Sequence, residues 1–532
     1  MLTCTLSTEK MAASSHLIKI MLFLAFILSC CYVSGGQAGF GDSTCLQVPQ
    51  SQFEGTVMST IGLVRQVITT VSDFSVGLGD FRVNNAAADC LNLMDFSIDL
   101  LNSALSVSQH NANGKDNNTG DAITDMKCML GGALFSQDTC NDGFDGTNTV
   151  LQSLISGSLD QVTSSVQTLI SMVKLPNLAV PSRGGRRPGG RRLMITNKSQ
   201  FPDWLKTHDR KILQAASGIT ANAVVAMDGT GDFTSIQEAI NAAPEHSRTR
   251  YVVYIKRGEY KEYVEINKKK QNIMLLGDGM DATVISGNRN RVDGWTTFGS
   301  ATVAVRGLGF IAQDITFENT AGPEKNQAVA FRSDSDFSVL YRCAFTGFQD
   351  TLYPHALRQF YKECKITGTV DFIFGDGTVV FQNCEILARK GLPNQKNTIT
   401  AQGRKDPGIP SGFSIQFCNI STEPEANYIP TYLGRPWKKY SRTVIMQSYI
   451  SGSISPQGWL EWNGDFGLNT LYYGEYMNYG PGAGLGGRVN WPGYHVINDS
   501  AQASGFTVAR FIGGNNWLPS TGVKYIAGLG MQ

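Results

Sequence analysis

The chain has 532 residues, enough for two or three domains that each bury a real core. Its 45 basic and 44 acidic residues leave a net charge of +1, which excludes a general nucleic-acid binder with a basic excess. Charged residues at only 17%, with 57 glycines, point away from disorder and toward β architecture.

At the N-terminus, Lys10 and Lys19 precede an apolar run over 20–33, followed by Ser34, Gly35 and Gly36. So short a run matches a signal-peptide core rather than a bilayer span. The small-residue rule places a cut near Ala38, so that 1–38 reads as a signal peptide, with an uncleaved signal anchor as the alternative. Sequons at Asn117, Asn197, Asn419 and Asn498 fit an exported chain. Beyond the leader the cysteines form two groups: Cys45, Cys90, Cys128 and Cys140, then Cys343, Cys364, Cys384 and Cys418. There is no Cys-x-x-Cys pair and the histidines stand apart from the cysteines, so no metal site is expected.

Residues 45–175 read as helical. Val150, Leu151, Leu154, Ile155, Leu159, Val162, Val166, Leu169, Ile170 and Val173 recur at three- and four-residue steps, predicting a helix from near Thr147. Leu91, Met94, Ile98, Leu101 and Leu105 do the same earlier. Three or four such helices predict a small bundle, and no polar cluster gives it a chemistry of its own. Then Pro181 to Arg192 reads PSRGGRRPGGRR, with five arginines and no acid. Within 176–213 this is an exposed basic linker suited to proteolysis.

From 214 to 532 the pattern becomes short apolar strands between Gly and Asn. LYRCAFTG, YKECKITG, FQNCEILA, IQFCNIST and IMQSYISG align on Cys343, Cys364, Cys384, Cys418 and Ser448, each with an apolar residue two places on: Phe345, Ile366, Ile386, Ile420 and Ile450. These quasi-repeats predict a right-handed parallel β-helix whose coils each add one strand to a stacked sheet. An antiparallel sandwich would need hairpin signals that are scarce here.

Coil spacing gives the chemistry. Asp371 follows Asp350 by the step that separates Cys364 from Cys343, so the two aspartates occupy equivalent places on neighbouring coils, roughly 5 Å apart. Like charges that close push one pKa upward, leaving a proton donor beside an ionised nucleophile or base. Gln327 and Gln349 offer amide N–H groups for an oxyanion. Asp371 lies in the apolar stretch Val370-Asp371-Phe372-Ile373-Phe374-Gly375, where a charge needs a partner, and Arg435 is the candidate. Trp437, Trp459 and Trp462 follow as platforms for sugar rings or as core.

The stretches GEYKE (258–262), QAVA (327–330), QDTL (349–352), DFIFG (371–375) and LGRPW (433–437) resemble the signature set of plant pectin methylesterases, in family order from about Ala223 to the C-terminus. The resemblance implies a β-helix that hydrolyses methyl esters of homogalacturonan to pectate and methanol without metal or organic cofactor. It implies Asp371 as nucleophile, Asp350 as general acid and base, Gln327 and Gln349 as the oxyanion hole, and Arg435 as the group orienting Asp371. Gln327, Arg435, Trp437, Trp459 and Tyr353 would contact the sugar chain.

The helical region resembles the family's inhibitor-like pro-domain, a four-helix bundle that inhibits or retains the enzyme until it is cut off. Cys90 and Cys140 match a bridged pair, Cys384 and Cys418 match a family disulfide, and Cys45 lacks its usual hairpin partner. Arg191-Arg192-Leu193-Met194 and Arg210-Lys211-Ile212-Leu213 resemble processing sites. The implied setting is a monomer secreted to the plant cell wall or apoplast, meeting methylesterified homogalacturonan, a processing protease and a proteinaceous inhibitor. A serine esterase is disfavoured by the absence of Gly-x-Ser-x-Gly, and the Gly482 to Gly487 run reads as a loop rather than a dinucleotide fingerprint.

Overall fold

The structure, a computed structural model, describes residues 45–75, 79–112, 121–147, 149–174 and 221–530. The leader, Asn117, Asn197 and the basic linker lie outside the described residues.

Four helices, Gln50–Ser75, Phe81–Ala112, Ala122–Gly143 and Val150–Met172, pack each against the next and the fourth against the first. The fourth starts three residues later than its periodicity predicts because Thr149 takes the N-cap, its side chain accepting from Gln152 N at 3.3 Å. Its stripe of Leu151, Ile155, Leu159, Val162, Val166 and Leu169 lies in the core. Val150 and Leu154 instead face water at 74% and 43% exposure, off the edge of that stripe.

The third helix differs, being buried nearly all round, with polar Asp125, Lys127, Gln137 and Thr139 included. A helix buried on every side has a partner beyond its own bundle. That partner is the β region: Gly131 approaches Ile409 closely enough that a side chain would crowd it, and Gly132 lies against Ala356 and Leu357.

Cys90 and Cys140 are bridged, closing a separation of 50 residues between the second and third helices. A loop of that size is worth about 4 kcal/mol of chain entropy. The double variant C90S/C140S is therefore expected to lower the stability of the helical region by about 4 kcal/mol in urea unfolding followed by circular dichroism. An unchanged helical transition would refute the bridge's role.

Residues 223–496 wind into a parallel β-helix of three sheets with eleven, seven and eight strands. One coil contributes Phe331–Ser333, Ser338–Tyr341 and Ala344–Thr346 to the three sheets in turn; the next contributes Leu352–Pro354, Arg358–Lys362 and Lys365–Gly368. The apolar ladder predicted from the repeats is in register: Phe345, Ile366, Ile386, Ile420 and Ile450 pair in sequence. It extends back through Phe317, Ile285 and Tyr260, which carry no cysteine marker.

At the same corner of seven successive coils a single residue turns the chain with positive φ: Asp314, Arg342, Glu363, Asn383, Phe417, Gln447 and Met477. None is glycine, and each such residue costs on the order of 1 kcal/mol. The stacking offsets this, since Arg342 N, Glu363 N and Asn383 N donate to carbonyls of the next coil at 3.0–3.1 Å.

The resemblance implied a Cys384–Cys418 disulfide, and the structure corrects this. Cys343, Cys364, Cys384 and Cys418 are all unbridged and buried, one above another inside the coils. Each thiol turns to a backbone carbonyl, as Cys364 Sγ does to Leu340 O at 3.3 Å and Cys418 Sγ to Phe381 O at 3.5 Å. The outer face of the eleven-stranded sheet is covered by the C-terminal segment, through Val508, Phe511, Trp517 and Leu518.

Candidate active site

The seven-stranded sheet carries the site. Leu352 pairs with Ile373, so Asp350 and Asp371, each two residues earlier, stand on successive rungs, a spacing of about 4.8 Å. Both have positive φ, 62° and 51°. Asp350 N donates to Val370 O at 3.1 Å and Asp371 N to Thr398 Oγ1 at 2.9 Å. Left-handed corners at non-glycine residues hold these side chains to one direction at a local energetic cost, a pattern found at functional sites.

Their surroundings differ. Asp371 receives a two-pronged contact from Arg435, Nε to Oδ1 at 2.8 Å and Nη2 to Oδ2 at 2.7 Å, and a third hydrogen bond from Thr398 Oγ1 at 2.7 Å. Such a fork satisfies both carboxylate oxygens and fixes their plane. Asp350 is 7% exposed. Burial first, then the neighbouring Asp371 charge, push its carboxyl well above the ordinary range, only partly countered by Arg435 and Arg291. One acid keeps its proton beside a charged partner, the division of labour that acyl transfer requires.

Both aspartates line a cavity of about 350 Å³ with Gln327, Gln349, Arg435, Trp437 and Tyr353. Both glutamines are half-buried there; Gln349 O accepts from Ala328 N at 3.2 Å and Gln327 O from Arg291 N at 3.0 Å, which anchors the backbone of each. Tyr353 stacks on Phe374 at 4.1 Å and forms the floor.

Trp459 does not belong to this group. It is 1% exposed, stacked on Tyr473 at 4.2 Å, with its indole N–H 3.4 Å from Glu475 Oε1 inside the coils. Trp462 lines the cavity instead, 4.4 Å from the Arg435 guanidinium to the ring centroid. Sequence reasoning also missed Thr398, which pairs one rung beyond Asp371. The step there is 27 residues because the loop after Ala388 lengthens the coil, hiding the equivalence.

The cavity has a roof from the helical region, formed by Thr139, Asp142, Gly143 and Asp145. Phe135 packs edge-on to Trp437 at 5.4 Å, and Thr139 Oγ1 lies 2.9 Å from His355 Nε2. Asp138 pairs with Lys405 at 2.5 Å and with Lys438 at 3.5 Å, and Asp142 pairs with Lys438 at 3.4 Å. Asp125 meets Arg358 at 2.5 Å. Of the candidate glycan acceptors, Asn419 and Asn498 are described and exposed.

Comparison with known proteins agrees with this geometry. The Pectinesterase family model matches residues 222–515, and the Plant invertase/pectin methylesterase inhibitor model matches residues 45–174. Pectinesterase/pectinesterase inhibitor PPE8B of Prunus persica is 58% identical over 533 residues, covering 99% of each chain. Probable pectinesterase/pectinesterase inhibitor 44 of Arabidopsis thaliana is 57% identical, covering 91% of this chain and 94% of its own. Among solved structures, pectin methylesterase from carrot is 53% identical with a TM-score of 0.58, covering 59% of this chain and all of its own. A paired-aspartate β-helix under an inhibitor-like bundle, with relatives this close across nearly its whole length, belongs to the pectinesterase family.

Proposed function

We propose that the chain is exported to the plant cell wall as a self-inhibited precursor that, once cut in the 176–213 linker, removes methyl esters from homogalacturonan. The observation that carries this reading is the aspartate pair on successive rungs with unequal surroundings. Ionised Asp371 attacks the ester carbonyl carbon, and the oxyanion that forms is met by the side-chain amides of Gln327 and Gln349. Asp350 gives its proton to the methoxy oxygen, and methanol leaves an acyl–Asp371 intermediate. Asp350, now ionised, takes a proton from water as the water attacks that intermediate. Collapse releases the galacturonate and restores both side chains, so ester and water become acid and methanol. Arg435 keeps Asp371 charged and aimed, Trp437 and Tyr353 bound the sugar, and Trp462 takes the place expected for Trp459.

The roof of Thr139, Asp142 and Gly143 supports an inhibitory role for the helical region, because a polymer cannot enter beneath it. A protease at Arg191-Arg192 or Arg210-Lys211 would free the groove. Exposed Asn419 and Asn498 are suited to carry glycans, and the catalytic unit is read as a monomer.

The test is methanol release from methylated pectin by the full chain before and after linker cleavage. Activity that rises on cleavage is expected. No methanol in either state overturns the esterase reading, whereas equal activity in both states overturns only the inhibitory role.

A further inference from the structure

A second cavity, about 560 Å³, lies on the same seven-stranded sheet toward its N-terminal rungs. Val264, Ala304 and Arg332 of three successive strands form its floor, and Phe298 lines both this cavity and the one at the aspartates, so the two are adjacent.

Its chemistry is cationic. The Arg289 guanidinium sits between two rings, 3.7 Å from the centroid of Tyr263 and 3.9 Å from that of Trp295. Clamping both faces fixes the plane and leaves the N–H edge to take a carboxylate. Arg306 is more than nine-tenths buried, yet its Nε has no hydrogen-bond partner and finds only Asp334 at 3.8 Å. Its Nη1 reaches the carbonyl oxygen of Asn92 in the second helix at 3.4 Å. Arg332 is committed to Asp334 at 3.2 Å and contributes charge rather than a contact. Glu265, at the rim, is the opposing acid from the β region.

Into this cavity the second helix places one carboxyl, Asp89, which burial pushes above the ordinary range against a hydrogen bond from Thr296 Oγ1 and the attraction of Arg332 and Arg306. Phe81 of the same helix packs edge-on to Trp295 at 5.3 Å. A segment that covers a groove and sets an acid among its arginines occupies the place of an acidic ligand.

We propose that Arg289 and Arg306 form a subsite for the free carboxylate of an unesterified sugar acid in the polymer, and that Asp89 fills it in the uncut chain. The proposal rests on the esterase reading and extends it. Arg306 follows the strand two rungs from that of Asp350 and three from that of Asp371, at the opposite strand end, so the rungs alone separate them by about 10–15 Å. A polymer lying across both cavities would then present a product acid here while a methyl ester meets Asp371. The enzyme would favour chains that already carry free acids.

The test is calorimetric binding of a short unesterified oligogalacturonate to the full chain cut in its linker, which needs no turnover. Arg289→Gln is expected to weaken binding roughly tenfold, the scale of one lost charge-assisted hydrogen bond, with Arg289→Lys between it and wild type. In the uncut chain, Asp89→Ala is expected to bind free galacturonate, small enough for the second cavity without displacing the roof, where wild type with Asp89 in place does not, a readout that does not depend on how the Arg289 variants fold. Equal affinity of wild type and Arg289→Gln, or exclusion unchanged by Asp89→Ala, overturns the subsite. Oligomer binding that follows these expectations in a wild-type protein releasing no methanol would sink the esterase reading and leave the subsite standing.

Discussion

Asp371→Asn is expected to cut methanol release by roughly a thousandfold or more in the linker-cut chain, because the amide is no nucleophile and the acyl route closes. The same change leaves Arg435 facing an amide and costs about 2 kcal/mol in denaturant unfolding. Asp350→Asn should behave differently. Its rate falls by about a hundred- to ten-thousandfold through loss of proton transfer. Its stability at neutral pH should rise, since folded Asp350 holds its proton more tightly than the unfolded chain does. That contribution is complete in acid and lost as pH climbs from the ordinary carboxylate range toward the raised value. The variant should therefore flatten the stability profile across that window. If Asp371→Asn released methanol at the wild-type rate, the assigned chemistry would be wrong.

Asp138→Lys in the uncut chain is expected to raise methanol release at least about tenfold without any cleavage, by setting a third cation against Lys405 and Lys438. Asp138 belongs to the helical region, so the rate after cutting and removing that region should match wild type. Protons should act on the same contact. Burial pushes Asp142, in the last turn of the third helix, up to about 6, against the pull of Lys438. A carboxyl that binds its proton more tightly when docked favours docking in acid, and that preference fades as pH rises through about 6. The uncut wild-type chain should thus leak activity as pH rises across that window, and Asp142→Asn should leak far less steeply. A pH profile identical in the two proteins would refute the assignment.

How much of this was legible beforehand depended on regular spacing. The steps from Cys343 to Cys364 and from Asp350 to Asp371 are equal because no loop intervenes, and so rung arithmetic placed the aspartates correctly. Past Ala388 the loops vary, which hid Thr398 and left Arg435 to be reached by the need of a buried charge for a partner. Trp459 and Trp462 are three residues apart in an irregular turn, where no alternation tells inward from outward. The Cys384–Cys418 pairing rested on the resemblance alone, and the structure instead stacks Cys343, Cys364, Cys384 and Cys418 as unbridged thiols on successive coils. Nothing in the helical periodicity showed that the third helix has two partners; that signal lay in its buried polar residues and its paired glycines, which only a neighbouring surface explains.

The free cysteines among the described residues are all buried, and they sit in different compartments of the molecule. Four are sealed inside the coils, whereas Cys128 lies close to Arg358 and Asp336 of the β region, its thiol pushed up to about 12 by burial. A dissolved thiol reagent therefore meets none of these described thiols until something opens. Labelling at Cys128 ahead of the others would mark the parting of bundle from solenoid, and labelling at Cys343, Cys364, Cys384 or Cys418 would mark the unwinding of the solenoid itself. The chain carries its own chronometer, with separate hands for release and for denaturation.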